Sequence, residues 1–181
     1  MTNTLDQYEA AVNECKVLFT NKNRDYGTSW RVLRPISIID QIFIKAQRIR
    51  TIQEKREQKV ADDISSEFIG MVNYGVIGLL QLDNPSLPDN ELSIEELSKQ
   101  YDQKFDLARQ TMIAKNHDYG EAWRSMSQES FVDLILMKLM RTRQILANNG
   151  KTLVSEGIDA NYIDIINYSL FALILIGEGH H

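Results

Sequence analysis

Slid against itself by 93 positions, the chain aligns residues 8–52 with residues 101–145, and 15 of those 45 pairs are identical. Unrelated segments of ordinary composition would share about three. Any fold for this sequence must therefore be made of two similar halves. The densest block is Lys22-Asn23-Arg24-Asp25-Tyr26-Gly27 followed by Trp30-Arg31, repeated as Lys115-Asn116-His117-Asp118-Tyr119-Gly120 followed by Trp123-Arg124. Asp40, Lys45, Arg48 and Arg50 recur as Asp133, Lys138, Arg141 and Arg143, and with one inserted residue Asn73-Tyr74 recurs as Asn167-Tyr168.

Each copy reads as three helices. Apolar residues at helical spacing predict them over 5–21, 37–57 and 62–82, and again over 94–114, 130–148 and 155–176. The Lys-Asn-x-Asp-Tyr-Gly block, with its Asn and Gly, is expected as a loop ending the first helix. Asp83-Asn84-Pro85-Ser86-Leu87-Pro88-Asp89-Asn90 holds two of the three prolines and reads as a linker. At its far end Ser93-Ile94-Glu95-Glu96 has the spacing of a capping box, and Asn149-Gly150 reads as a helix C-cap. No strand-length window alternates between turn signals, so the expected class is all-α. The expected organisation is a first repeat over 1–82, a linker over 83–93 and a second repeat over 94–178. Two three-helix units that each leave an apolar face open can close on one another as an intramolecular pseudo-two-fold bundle.

Composition narrows the function. A formal charge of −5 argues against bulk nucleic-acid binding, which needs many cations to displace counterions from phosphates. Cys15, the single cysteine, excludes an internal disulfide and a Cys-rich zinc site, and its repeat counterpart Ala108 argues against a nucleophilic role. No signal peptide is evident near the start, and the apolar run over 165–177 is short of the roughly 20 residues that cross a bilayer. A cytoplasmic protein that does not engage membranes is expected, and homo-oligomerisation stays open.

The candidate functional residues are polar groups where a bundle would prefer apolar ones. Asp40 and Asp133 interrupt apolar runs in the second helices, and a buried carboxylate needs a cation or donors to meet it. The alternative is an intrachain pair with Arg48, Arg31 or their repeat partners Arg141 and Arg124, or exposure on a polar edge. Asp164 and Asn167, with Glu156 two turns upstream, put oxygen donors on one helix face, the kind of ligand Mg²⁺ takes. The first copy has Gly70 in place of Asp164, with Asp62, Asp63 and Glu67 nearer the helix start, where acids also stabilise the helix dipole. Asp40, Glu67, Asp133, Glu156 and Asp164 are thus the candidate metal ligands. Lys45 and Arg48, like Lys138 and Arg141, share a helix face and could meet a phosphate, whereas Arg50 and Arg143 point elsewhere, toward solvent or a partner carboxylate. From the repeated block, Lys22 and Lys115 could take a phosphate and Tyr26, Trp30, Tyr119 and Trp123 a base. Asp25 could take a ligand hydroxyl or help hold a metal, and Asn116 and Asp118 are further candidate binding residues. The alternative is a structured turn whose tryptophan plugs the core.

The duplicated block, the Asp-x4-Lys-x2-Arg helix and the acidic third helix ending in Asn-Tyr resemble nucleotide modification-associated domain 1, a family of bacterial and phage proteins, taken as two tandem copies. That resemblance implies a link to nucleotide or DNA-base modification. The layout is also similar to the all-α nucleoside triphosphate pyrophosphatases, which implies helix-borne acids holding Mg²⁺ and water attacking between the α- and β-phosphates. The paired Glu-rich motifs of that group are not reproduced: Glu156-Gly157-Ile158-Asp159 gives a Glu-x-x-Asp, but the second helices offer Asp40 or Asp133 with Lys and Arg. Three functions stay open: a Mg²⁺-dependent nucleoside triphosphate pyrophosphohydrolase, a nucleotide-binding module without turnover, and a helical interaction protein.

Overall fold

Apolar spacing and caps set six helices among the residues described by the computed structural model, which are 2–84, 92–153 and 156–181. They are α1 (Thr2–Tyr26), α2 (Pro35–Lys55), α3 (Ile64–Asp83), α4 (Ile94–Tyr119), α5 (Gln128–Ala147) and α6 (Ile158–Gly177). Pro35 opens α2, where its missing N–H costs nothing. Asp63, Ser93 and Ser127 cap α3, α4 and α5 by accepting from the backbone N–H three residues on. The cap role of Asp63 is thus structural. Asn149 and Gly150 take left-handed backbone beyond α5. The linker expected over 83–93 lies mostly outside the described residues, as does Ser155, the expected start of the last helix.

One boundary differs in a way that matters. The repeated block is not a loop: Lys22 to Tyr26 form the last turn of α1, and Lys115 to Tyr119 that of α4. Gly27 and Gly120, at φ 65° and 60°, donate their N–H to Asn23 O (2.8 Å) and Asn116 O (2.9 Å), and that left-handed backbone requires glycine. A short 3-10 turn follows each, Ser29–Val32 and Ala122–Ser125.

The all-α fold is as expected, and the halves are joined by contacts that occur in matched pairs. Tyr8 donates to Asn167 Oδ1 (2.8 Å) and its counterpart Tyr101 to Asn73 Oδ1 (2.7 Å). Lys16 meets Asp102 (2.7 Å) while Glu9 meets Arg109 (2.7 Å). Asp40 meets Arg143 (2.6 Å) while Asp133 meets Arg50 (3.5 Å). Each pair is what an approximate two-fold axis through the chain generates. Within each repeat, Ile38, Ile39, Ile42, Ala46 and Ile49 form the buried stripe of α2, and Phe131, Val132, Ile135 and Leu139 part of that of α5.

The helices α3 and α6 are buried nearly all round and form the centre of the bundle. By length and composition α6 could cross a membrane, yet most of it is buried inside the protein. Small residues let α3 approach α6: a Cβ on Gly78 would lie 2.5 Å from Cζ of Tyr162, whose ring is 1% exposed and cannot swing away. Gly78→Val should therefore destabilise the protein by about 1–3 kcal/mol through overpacking. Urea unfolding checks this; an unchanged midpoint would mean the two helices are not in the contact described.

Candidate functional site

The repeated block divides into residues that fold the turn and residues left over. Trp30 Nε1–H donates to Asn23 Oδ1 (3.0 Å), and Trp123 Nε1–H to Asn116 Oδ1 (3.1 Å). Both indoles are buried, at 7% and 6% exposure. Asn, Gly and Trp thus pull each 3-10 turn back over its helix end, and the tryptophans plug the core as the structural alternative expected. Lysine and tyrosine have no part in this. Tyr26 and Tyr119 remain 56% and 72% exposed.

Beneath each turn lies a cavity, and the two are repeat counterparts. The first, about 490 Å³, is lined by Lys22, Tyr26, Trp30, Lys45, Glu67, Gly70 and Tyr74 among others. The second, about 310 Å³, is lined by Lys115, Tyr119, Trp123, Asp164 and Tyr168 at equivalent positions. Such volumes suit small ligands. The floors differ as well: Trp123 stacks on Phe171 with centroids 4.3 Å apart, whereas Ile77 holds the position of Phe171 in the first cavity.

Electrostatics separates them further. In the second repeat Asp164, 5% exposed, accepts from Lys115 Nζ (2.7 Å) and Lys138 Nζ (2.6 Å). Desolvation works against the Lys115 ammonium, but the hydrogen bond and charge of Asp164 outweigh it and the pKa is raised. In the first repeat the acid sits one helical turn earlier, as Glu67. Arg48 Nη1 holds Glu67 at 2.8 Å while Nη2 donates to the carbonyls of Val60 and Asp62, fixing the segment that leads into α3. Lys45 Nζ reaches Glu67 only at 3.5 Å and lies 5.9 Å from the centre of the Tyr74 ring. Among the described residues Lys22 has neither an ion pair nor a hydrogen bond from its ammonium. Burial raises the pKa of Tyr74 and Tyr168, with the neighbouring phenol of Tyr26 or carboxylate of Asp164 adding to it.

The turns above the cavities are anchored unequally too. Arg124 lies over the Trp123 ring at 4.4 Å and pairs with Glu121 (3.2 Å) and Glu178 (3.1 Å). Its counterpart Arg31 lies 5.7 Å from the Trp30 ring, and its two terminal nitrogens are buried without a hydrogen-bond partner among the described residues.

Several expected site residues are placed elsewhere. Asp133 does not meet Glu156 and Asp164 around one cation; Asp40 and Asp133 lie on the exposed side of α2 and α5, each paired with an arginine of the other repeat. The partners are Arg50 and Arg143 rather than the expected Arg48, Arg31 or their counterparts, and both carboxylates are more than half exposed. Glu156 is exposed and lines a different cavity of about 600 Å³ with Arg141, whose counterpart of Glu67 is the neutral Asn161. No group of three or more acidic, histidine or cysteine side chains suited to a metal occurs among the described residues. Asp25 and Asp118 are exposed and line neither cavity beneath the turns; Asp118 meets His117 Nδ1 at 3.1 Å.

The family model described as nucleotide modification associated domain 1 matches residues 22–82 and 115–176. The chain belongs to that family. Both matched segments begin at the cavity lysines, Lys22 and Lys115, and run through the helices that close the cavities, so the family model matches once in each repeat. No curated protein and no solved structure matches the chain. The family's description links such domains to nucleotide modification. Tyr74 and Tyr168 are cavity residues that the sequence reading passed over as functional groups; their signal was the recurring Asn-Tyr pair, in which Asn73 and Asn167 serve the inter-repeat hydrogen bonds and the tyrosines are free to face the cavities.

Proposed function

We propose that the protein binds a nucleotide beneath its Lys-Asn-x-Asp-Tyr-Gly turns, with phosphate on the lysine side and the base against tyrosine. The observation that carries this is the pairing, in the lining of one cavity, of two ammonium groups (Lys22, Lys45) with two phenol rings (Tyr26, Tyr74). Ammonium groups supply charge-assisted hydrogen bonds to phosphate oxygens, and aromatic rings accept a base face with little regard to its identity. The family's link to nucleotide modification is in keeping with this.

Mg²⁺-dependent pyrophosphohydrolysis is the further reading that the sequence invites. The acids present do not form a protein-held magnesium cage, because Glu67 and Asp164 are already engaged by Arg48 and by two lysines. A divalent ion would therefore enter on the nucleotide's own phosphates, and no hydrolytic step follows from these residues.

A panel of ribo- and deoxynucleoside mono- and triphosphates, titrated calorimetrically with and without Mg²⁺ and followed by product chromatography, tests both readings. Binding without product is expected, tighter for the nucleotide than for its unphosphorylated nucleoside. Tyr26→Ala should weaken it about 5- to 150-fold, the value of one base–aromatic stack. If no nucleotide binds, or if Tyr26→Ala and Lys22→Ala leave affinity unchanged, the reading fails. Pyrophosphate release would restore the enzymatic one.

A further inference from the structure

Resting on that reading, we infer that only the first cavity takes the anionic group of a ligand, because in the second cavity Asp164 occupies the position of that anion. The duplicated lysines behave differently in the two repeats. Lys115 and Lys138 converge on the two oxygens of Asp164 at 2.7 and 2.6 Å, so the fold places two ammonium groups around one oxyanion. Their counterparts Lys22 and Lys45 line the first cavity without such a carboxylate between them. Residue 70, the counterpart of Asp164, is glycine, and the stem of Lys45 lies across it, with Cε 2.8 Å from where a Cβ would stand.

The compensating acid of the first repeat does not fill the same place. Glu67 is bound through Arg48, and its contact to Lys45 is long, at 3.5 Å. Asp62 also lines the first cavity, but with no hydrogen bond or ion pair from its side chain to either lysine. Two lysines that in one repeat hold a carboxylate line, in the other, a cavity of about 490 Å³, against about 310 Å³ for the copy that contains Asp164. A phosphate or pyrophosphate group presents the same oxygen chemistry as the carboxylate, with more charge. One anionic ligand per chain is the consequence, the second repeat having become a structural copy of the site.

The experiment is a calorimetric titration of the full chain with inorganic pyrophosphate. Wild type should bind one equivalent. Lys22→Ala should lose that binding at least tenfold and leave no other. Asp164→Gly, which gives the second repeat the residue found in the first, should bind two equivalents, and Lys22→Ala/Asp164→Gly should regain one. Two equivalents on wild type, one retained by Lys22→Ala, or no binding to wild type at all would each overturn the inference. If Asp164→Gly fails to fold by circular dichroism, the stoichiometries of wild type and Lys22→Ala still decide. The nucleotide reading fails separately: one pyrophosphate per chain with no gain in affinity from an attached nucleoside keeps the asymmetry and removes the nucleotide, whereas two nucleotides per chain do the reverse.

Discussion

Raising the pH above about 10 is expected to unfold the protein steeply, because three of its most deeply buried groups are tyrosines that must stay neutral. Tyr8, Tyr101 and Tyr162 are each no more than 1% exposed. Burial pushes their pKa values well up, and in Tyr8 and Tyr101 the hydroxyl proton is the donor that joins the repeats at Asn167 and Asn73. In an unfolded chain a tyrosine ionises near 10. The stability tied to these groups is thus intact below that pH and is lost as pH rises from there toward the higher folded-state values. Each contributes up to about 1.4 kcal/mol per pH unit, so the three together give about 4 kcal/mol per unit. A typical stability of about 5–15 kcal/mol is exhausted within a few such units. Lys115 adds to the trend, since its raised pKa likewise favours the folded state until the ammonium deprotonates. Urea unfolding at several pH values, with tyrosinate absorbance followed alongside helicity, checks this. Full ionisation of all seven tyrosines near pH 10 with helicity intact would show that the rings are not buried as described.

Removing the carboxylate of Asp164 should be the most damaging single change to the second repeat. Lys138 is 8% exposed, and its ammonium has Asp164 as its hydrogen-bond partner. Asp164→Ala strands that charge in the interior, which costs about 3–5 kcal/mol when one member of a buried pair is deleted. For a chain of this size, that lowers the melting temperature by roughly 6–20 °C. Asp164→Ala/Lys138→Met should recover most of the loss, because replacing both members by apolar groups removes the desolvation penalty as well. Pyrophosphate should also raise the melting temperature of Asp164→Ala, by filling the position that the carboxylate left. The measurement is thermal unfolding by circular dichroism, with and without pyrophosphate. A loss below about 1 kcal/mol would place Lys138 in solvent, as for an ordinary surface pair.

The fold was legible because duplication and helical spacing are properties of the sequence itself. A 93-residue repeat with three apolar helical stripes per copy leaves few arrangements other than a pseudo-two-fold bundle. The site was less so. Asp40 and Asp133 interrupt apolar helices, and nothing local shows that each meets an arginine on the other repeat, because a contact across the axis joins positions far apart in the chain. The block from Lys22 to Gly27 carries Asn and Gly, usual in loops, but here the glycine ends a helix and the asparagine receives an indole N–H, so those two residues serve the turn and the lysine and tyrosine do not. The exchange of Glu67 with Gly70 for Asn161 with Asp164 is visible in the aligned copies. Its meaning is not, since only in three dimensions does moving an acid by one turn exchange two lysine partners for an arginine.

Each cavity holds one of the chain's two tryptophans, so the indole N–H resonances of Trp30 and Trp123 report on the two sites separately in a single nucleotide titration followed by ¹H–¹⁵N NMR. The Trp30 resonance should move to saturation with the bound nucleotide while that of Trp123 holds its position. A nucleotide that binds but moves neither indole would place the site outside both cavities, and one that moves Trp123 instead would assign it to the wrong repeat.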